Sequence, residues 1–480
     1  MVAGGLGLSI ASCGGSSRPV TLAPTPTPAP PNNVFILADD QDTQSMPFMP
    51  KVKSLLADQG VTFSRNFVAT SLCCPSRASI LTGQYAHNHR TLSNAAPAGG
   101  YDVFLANNSE GSTLGSWLKA AGYRTMLVGK YLNGYGLGDP THVPPGWDEW
   151  HADFASGGEA DSGNYVDFVI NDNGVVTHHT DAYLTDFLTE RAVAAIQGAV
   201  AKGPEPFFLY VAPPAPHTPA YRPSRYKGLF SDQQAPRVPS FDEGDTSNKP
   251  TWVREQPLFT PKVEQQIDAL YEDRLATMLA VDDMVERIVQ ELQANGRLAN
   301  TFIFFTSDNG FLLGPHRFPH GKEAAYEESI RVPLVVRGPG VPAGQIRDQI
   351  VANIDFAPSF GELARTHLPD SVDGRSFAPL LTASPPADWR PDLLLEHWQN
   401  LSDPDNPRFV KGGIPTFYGL RTADQLTYVE YVTGETEFYD MRNDPYQLNN
   451  LGDQLPDSTV APLRNRVALL KTCRGATCRN

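Results

Sequence analysis

Four short apolar runs, separated by helical patterns, constrain the fold of this chain more than any other feature. In chain order they are NNVFILADD, RTMLVGK, PFFLYVAPPAPH and NTFIFFTSDNG, and each one closes on polar residues. Runs that are apolar on both faces are typical of buried parallel strands. Their alternation with helical segments predicts an α/β fold with a doubly wound mixed sheet, in which most strands are parallel.

The pattern changes from about Asp388 onward. The short runs LLLEHW, FYGLRT, LTYVEYV and TEFYD follow one another without long helices between them, and the helical segment DSTVAPLRNRVALLKTC comes last. This predicts a smaller C-terminal antiparallel sheet with one helix. We therefore expect a catalytic domain at 33–387 and a C-terminal subdomain at 388–480.

The N-terminal 32 residues have a composition of their own. The apolar run MVAGGLGLSIAS ends at Cys13 and resembles a bacterial lipobox, in which the cysteine after the cleavage site carries a lipid. The Pro/Thr-rich residues that follow are typical of a stiff tether. We expect a signal peptide at 1–12, a tether at 13–32 and an exported envelope lipoprotein, periplasmic or at the cell surface, that meets the membrane through its lipid only. A secreted protein, or a disordered leader with an incidental cysteine, is the alternative.

The formal net charge of −15 argues against nucleic acid as a partner, because phosphate binding needs a basic face. It leaves open a small sulfated or phosphorylated substrate, since a few local cations can hold an anion inside an acidic protein.

Polar residues cluster where three of the predicted strands end. They are the pairs Asp39–Asp40 and Asp308–Asn309, together with His217. Ligands of open α/β sheets bind beyond the carboxyl ends of the strands. Carboxylate and amide oxygens suit Ca²⁺ or Mg²⁺ better than zinc. Each pair alone is equally typical of a helix N-cap or an Asx turn, but two acidic pairs at equivalent strand ends favour a metal site.

The segment SLCCPSRASILTG, residues 71–83, carries the pattern C-x-P-S-R-x-x-x-L-T-G. It resembles the signature of the type I sulfatases, in which a maturation enzyme oxidises the first cysteine to formylglycine. The blocks ADD, GK, PAPH, SDNG and a second GK follow the family order. The segments DDQD, GKYLN and VPPGW are similar to those of the N-acetylglucosamine-6-sulfatase branch. The resemblance covers nearly everything from Asn33 to the end.

This resemblance implies an alkaline-phosphatase-like fold and hydrolysis of sulfate esters, with a sulfated sugar or glycan as substrate. It also implies one Ca²⁺ in the predicted metal site. The implied ligands are the modified side chain at position 73 and the two polar pairs: Asp39, Asp40, Cys73, Asp308 and Asn309.

The resemblance also implies roles for individual residues. Cys73 is the precursor of the nucleophile, and Arg77 lies one helical turn further on. Lys130, His217 and Lys322 would surround the sulfate with positive charge. Of these, His217 or Lys322 would donate a proton to the leaving oxygen.

Four weaker candidates for substrate binding remain. Many sulfatases have a histidine two positions after the first lysine, where this chain has Leu132, and Asn133 would then be a polar substitute. His87 and His89 follow the nucleophile segment, and His397 lies in the C-terminal sheet. For these histidines, ordinary capping or surface roles are the alternative.

The remaining cysteines have structural interpretations. A vicinal disulfide, a soft-metal site or two buried thiols at Cys73 and Cys74 are the alternatives to a nucleophile, but no further Cys or His lies at ligand spacing. In an exported protein, Cys473 and Cys478 predict a small-loop disulfide worth about 2 kcal/mol.

Three other functions stay open at this stage. An arylsulfatase or a phosphonate monoester or phosphodiester hydrolase would share the nucleophile and metal site. A silent glycan-binding lipoprotein would result if Cys73 stayed unmodified.

Overall fold

The computed structural model describes residues 1–9, 30–154 and 165–479. The predicted lipidation site, Cys13, and most of the predicted tether lie outside the described residues. Within the described residues, no helix is long and apolar enough to cross a membrane.

The strands of the described residues are, in chain order, β1 (Asn32–Ala38), β2 (Val61–Phe63), β3 (Asn66–Phe67), β4 (Arg124–Gly129), β5 (Glu149–Phe154), β6 (Phe168–Asp172), β7 (Val175–His179), β8 (Phe207–Ala212), β9 (Thr301–Ser307), β10 (Leu334–Arg337), β11 (Gln345–Arg347), β12 (Val351–Ala352), β13 (Asp392–His397), β14 (Phe417–Thr422), β15 (Leu426–Tyr431) and β16 (Thr436–Asp440).

The α-helices are α1 (Pro50–Val52), α2 (Cys73–Thr82), α3 (Ala86–His89), α4 (Gly100–Ala106), α5 (Leu114–Ala120), α6 (Leu184–Lys202), α7 (Thr251–Arg254), α8 (Pro261–Ala294), α9 (Glu327–Ile330), α10 (Phe356–Leu363) and α11 (Asp457–Leu470).

A ten-stranded mixed sheet forms the centre, in the order β11-β2-β10-β9-β1-β8-β4-β5-β6-β7. The strands β9, β1, β8, β4 and β5 run parallel, and antiparallel neighbours flank them on both sides. The parallel strands contain the four apolar runs seen in the sequence. The expected mixed, doubly wound sheet is therefore confirmed.

Side chains of β1 alternate between two separate cores. Val34 and Ile36 pack with residues of α6 and α8 on one face of the sheet. Phe35 and Leu37 pack with residues of α2, α5 and α10 on the other face. Because both faces are covered, β1 is apolar from Val34 to Ala38, as a buried parallel strand should be.

The C-terminal part forms the smaller sheet that the sequence predicted. Strands β13-β14-β15-β16 are antiparallel in sequence order, and α11 packs on them. A disulfide joins Cys473 and Cys478 just after α11. This sheet shares its core with Phe67 and Tyr326 of the larger body, so loops from β13–β14 lie close to the carboxyl edge of the central sheet.

Candidate active site

The two acidic pairs meet at the carboxyl edge of the central sheet. Strands β1 and β9 are parallel neighbours, with Ala38 opposite Ser307, so the residues that follow them lie side by side. The backbone N–H of Asp40 donates to Asp308 Oδ1 at 3.2 Å, and Asn309 Nδ2 donates to Asp40 Oδ1 at 2.6 Å. All these side chains are buried. The sequence prediction that the two pairs converge is therefore met in the structure.

Cys73 is the first residue of α2 and points into this group. Lys322 Nζ donates to Cys73 Sγ at 2.9 Å, and the thiol donates to Asp39 Oδ1 at 3.3 Å. Burial, followed by the charge of Asp39, raises the pKa of the Cys73 thiol well above its ordinary value. Since the thiolate is the nucleophilic form of cysteine, an unmodified Cys73 is a poor nucleophile in this position.

Arg77 lies one turn further along α2 and connects the two acidic pairs. Its Nε donates to Asp308 Oδ2 at 2.7 Å, and its Nη1 donates to the carbonyl of Lys130 at 3.0 Å. Its Nη2 is 3.6 Å from Asp39 Oδ2. Burial works to lower the pKa of Arg77, but Asp308 and Asp39 outweigh it and raise that pKa. The guanidinium is therefore a permanent cation inside the site.

Two lysines contribute further positive charge. Lys130 Nζ, from the end of β4, is 2.5 Å from Asp39 Oδ2, and Lys322 Nζ is 2.7 Å from Asp40 Oδ1. Burial alone would raise the pKa of Asp39, but Lys130 and Arg77 hold it well below its usual range. In the same way Asp40 and Asp405 hold the pKa of Lys322 well above its ordinary value despite burial. Asp39 and Lys322 are therefore both ionised.

His217 completes the group from the loop after β8. Its Nδ1 is 2.7 Å from the carbonyl of Thr218, which can only accept, so Nδ1 carries a hydrogen. Its Nε2 lies 3.7 Å from Asp40 Oδ2. The ring therefore presents Nε2 to the site.

The residues present fit a hard divalent cation. Asp39, Asp40 and Asp308 supply carboxylates, and the buried Oδ1 of Asn309 has no hydrogen-bond partner within the described residues. An unpaired buried oxygen is costly unless something binds it. Ligand atoms of Asp39, Asp40, Cys73 and His217 also lie within 4.8 Å of one another, which adds a histidine to the set predicted from the sequence.

Asp405 is a residue of the site that the sequence analysis missed. It lies in the loop between β13 and β14, with Oδ2 at 3.1 Å from Lys322 Nζ and Oδ1 at 3.9 Å from His217 Nε2. Asn94 Nδ2 donates to Oδ2 at 2.6 Å. Burial opposes ionisation, but Lys322 and His217 lower the pKa of Asp405. Only a Pro/Asp/Asn turn signal, SDPDNP, marks this loop in the sequence.

A cleft of about 690 Å³ opens above the cations. Asp40, His217 and Lys322 form its inner end. One wall is the apolar side of the start of α8 with Phe311, and the opposite wall is the loop 404–409. A sulfated ligand could therefore place its anion on the cations and its organic part between an apolar wall and a polar one.

The three histidines predicted to bind substrate lie elsewhere. His87 Nδ1 is 2.8 Å from Glu396 Oε2, which ties α3 to the C-terminal sheet. His89 Nε2 is 3.1 Å from Ser79 Oγ, and burial lowers its pKa to about 3. His397 is buried, and burial lowers its pKa to about 4. None of the three lines the cleft in the described part of the chain, and a role for them in substrate binding stays a prediction.

Asn133 is also buried, in the loop after β4. Its backbone carbonyl accepts from the N–H of Tyr101 at 2.8 Å, and its Oδ1 has no hydrogen-bond partner among the described residues. It does not line the cleft. A contact between Asn133 and substrate stays a prediction.

The fold is alkaline-phosphatase-like, and the carboxyl edge of its sheet brings a buried cysteine together with carboxylates, lysines and an arginine. Residues 31–366 match the sulfatase family model, and residues 314–472 match the model for the C-terminal part of N-sulphoglucosamine sulphohydrolase. The chain belongs to the sulfatase family and is a sulfuric ester hydrolase, as the resemblance implied.

Individual relatives agree with this assignment. The chain is 35% identical to an N-acetylglucosamine-6-sulfatase of Capra hircus, over 94% of this chain and 85% of the relative. It is 31% identical to an arylsulfatase of Volvox carteri, over 94% of this chain and 76% of the relative. A solved structure of a protein in complex with its substrate, D-glucosamine-2-N,6-O-disulfate, superposes with a TM-score of 0.76 at 26% identity, covering 91% of this chain and 97% of the other.

Proposed function

We propose that the protein hydrolyses the 6-O-sulfate ester of N-acetylglucosamine in glycans. The observation that carries this substrate is the identity, along almost the whole chain, to a relative named for that reaction. The solved structural relative also binds a 6-O-sulfated glucosamine. The lining of the cleft is suited to a sugar. Asp405 offers a carboxylate to hydroxyl groups, and the start of α8 offers an apolar surface.

The nucleophile is formylglycine, formed from Cys73 by a maturation enzyme. Two observations support it: the C-x-P-S-R register, and the burial and neighbouring carboxylate that keep the thiol itself un-ionised. When present, hydrated formylglycine supplies two geminal hydroxyls, one to attack sulfur and one to expel sulfate afterwards.

The cofactor is one Ca²⁺, held by Asp39, Asp40, Asp308 and Asn309 with the side chain at position 73. Hard oxygen donors and the unpaired Oδ1 of Asn309 support this choice. A bound cation would act as a Lewis acid on sulfate oxygens.

The chain's own residues bind the sulfate and move the proton. Lys130 and Lys322 carry positive charge beside the Asp39–Asp40 pair, so they offset the charge of an entering sulfate. Either the doubly protonated ring of His217, through Nε2, or Lys322 Nζ donates a proton to the leaving oxygen, since both residues line the cleft. Asp405 lies beside both donors and orients them.

Export with a lipid on Cys13 remains part of this proposal and rests on the N-terminal sequence alone.

Kinetics on three substrates test the function. We expect a higher kcat/KM on 6-O-sulfated N-acetylglucosamine than on an aryl sulfate or a bis-aryl phosphodiester, because a sugar-specific cleft adds binding energy. Preference for the aryl sulfate would support the second candidate function, that of an arylsulfatase. The relative from Volvox carteri is named for that activity. Comparable efficiency on the phosphodiester would contradict the sulfatase assignment. The intact mass of a peptide spanning residues 71–77 tests the conversion of Cys73 separately.

A further inference from the structure

A second positively charged cavity lies between the central body and the C-terminal sheet. Its volume is about 330 Å³, and none of its lining residues lines the active-site cleft. Three arginines from different segments form most of its charge: Arg65 between β2 and β3, Arg331 just after α9, and Arg421 on β14. We call it the arginine pocket.

Two of these arginines are held close together by backbone carbonyls. Arg65 Nη1 donates to the carbonyl of Ala423 at 2.9 Å. Arg421 is buried, its Nη1 donates to the carbonyl of Leu426 at 3.3 Å, and its guanidinium lies 5.2 Å from the centre of the Phe67 ring. Burial and then the charge of Arg421 lower the pKa of Arg65. Two like charges are therefore fixed beside one cavity by the fold.

Among the described residues that line the pocket, one carboxylate pairs directly with two of the three arginines. Glu327 Oε1 accepts from Arg421 Nε at 2.7 Å, and its Oε2 is 3.2 Å from Arg331 Nε. Asp348 lines the cavity as well, but it is exposed. The direct ion pairs therefore leave the pocket with excess positive charge.

Arg65 donates to backbone carbonyls through both Nη1 and Nη2, but other guanidinium donors of the pocket are unused in the described part of the chain. Each arginine has five N–H groups in a planar fork that suits oxyanions. The Nε of Arg65 is buried and makes no hydrogen bond within the described residues, whereas the Nε of Arg331 faces Glu327 Oε2. Within the described residues Arg421 donates through Nε and Nη1, and it lines the pocket. A buried, unpaired donor is costly unless a ligand binds it.

We propose that the arginine pocket binds a tetrahedral oxyanion of the sulfate class. The group is either free sulfate, which the enzyme releases, or a sulfate ester on a glycan chain whose other end occupies the cleft. Arginine forks bind such groups through paired, charge-assisted hydrogen bonds. The site is distinct from the catalytic one and does not depend on which sugar the enzyme prefers.

Equilibrium dialysis with radiolabelled sodium sulfate, at an ionic strength fixed with sodium chloride, tests the site. We expect the wild-type protein to bind one more sulfate per chain than Arg331→Gln. Arg65→Gln, which changes a different wall, should lose the same sulfate, and Arg331→Lys should keep it with weaker affinity. The control Arg442→Gln removes an exposed arginine outside the pocket and should match the wild type.

Equal sulfate stoichiometry in the wild type and both glutamine variants overturns the proposal. Thermal unfolding in chloride alone checks that each variant is folded. Kinetics then distinguish the two sources of the anion, a glycan sulfate and free sulfate. A pocket for a glycan sulfate predicts that Arg331→Gln raises KM severalfold for a sulfated oligosaccharide and leaves KM for a sulfated monosaccharide unchanged. A pocket for free sulfate predicts no change in either KM.

Discussion

Arg77 and Asp308 form an ion pair that is completely buried. Arg77 Nε lies 2.7 Å from Asp308 Oδ2, and neither side chain is accessible. The two residues are 231 positions apart, one in the second turn of α2 and the other after β9. The pair therefore connects the helix of the candidate nucleophile to the edge of the central sheet.

Loss of this arginine should destabilise the fold. We expect Arg77→Leu to lower the free energy of unfolding by about 3–5 kcal/mol in a chelating buffer, because it leaves buried carboxylates without their cation. Chemical denaturation measures this. The matched control Arg442→Leu breaks an exposed pair with Asp440 and should cost less than about 1 kcal/mol. Equal losses in both variants would contradict a special role for the buried pair.

His87 should matter for stability in a pH-dependent way. Burial works to lower the pKa of His87, but Glu396 outweighs it, so the pKa in the folded state is raised above 6.5. A raised pKa stabilises the fold at low pH, and this stabilisation is lost as the pH rises through the folded-state pKa. We expect His87→Gln to cost about 2 kcal/mol at pH 6 and less at pH 9.

Chemical denaturation at the two pH values checks this expectation, with the exposed pair of His178 and Asp167 as a control site. His178→Gln should have little effect at either pH. If His87→Gln instead raises KM and leaves stability unchanged, the histidine contacts substrate as the sequence first suggested.

The paired acids could be predicted from the sequence because their geometry is local. Asp39–Asp40 and Asp308–Asn309 each follow an apolar run directly, and parallel strands place equivalent ends at one edge. The strands themselves follow from the same pattern. Such inferences need only the pattern of apolar residues along the chain and the rule that parallel strands end at the same edge of a sheet.

Asp405 could not be predicted in this way. Its contact with Cys73 Sγ, at 4.0 Å, spans 332 residues and depends on how the C-terminal sheet packs against the central body. The position of His87 could not be predicted either, because it depends on the same packing. His87 lies close to the nucleophile helix in sequence, but its partner Glu396 is on β13. Long-range packing decides such cases.

Asp405 should affect catalysis through Lys322. We expect Asp405→Asn to lower kcat/KM about 10- to 100-fold, as is usual when a residue that orients a site is lost. The variant also removes a carboxylate that raises the pKa of Lys322, so the alkaline loss of activity should begin at lower pH. The pH profile of kcat/KM measures both effects. Asp457→Asn, at an exposed carboxylate, is the control, and an unshifted profile for Asp405→Asn would argue against this coupling.

Metal identity follows from the donor set. We expect chelation to abolish activity and Ca²⁺, or less efficiently Mg²⁺, to restore it, because the proposed ligands are hard oxygens. Asp308→Ala should lower kcat by roughly 10²–10³-fold and release the ion in elemental analysis. Restoration by zinc alone would show that the ligand set is wrong.

Serine variants of the two adjacent cysteines should differ clearly in activity. Both are buried, but only Cys73 contacts Lys322 and Asp39, whereas the backbone N–H of Cys74 donates to Asn94 and its side chain lies in the core. Cys74→Ser should therefore keep most activity, with some loss of stability from the buried hydroxyl.

Cys73→Ser should fail in a characteristic way. The introduced hydroxyl can still attack sulfur beside Lys322 and Arg77, but it lacks a second hydroxyl on the same carbon, so the resulting serine sulfate ester has no easy route to release sulfate. We expect one sulfate added per chain after incubation with substrate, without turnover, and intact-protein mass spectrometry detects it. Normal turnover by Cys73→Ser, or an inactive Cys74→Ser, would mean that the nucleophile is not Cys73. Because the two positions are adjacent and equally buried, a mere packing effect would reduce activity in both variants and add sulfate to neither.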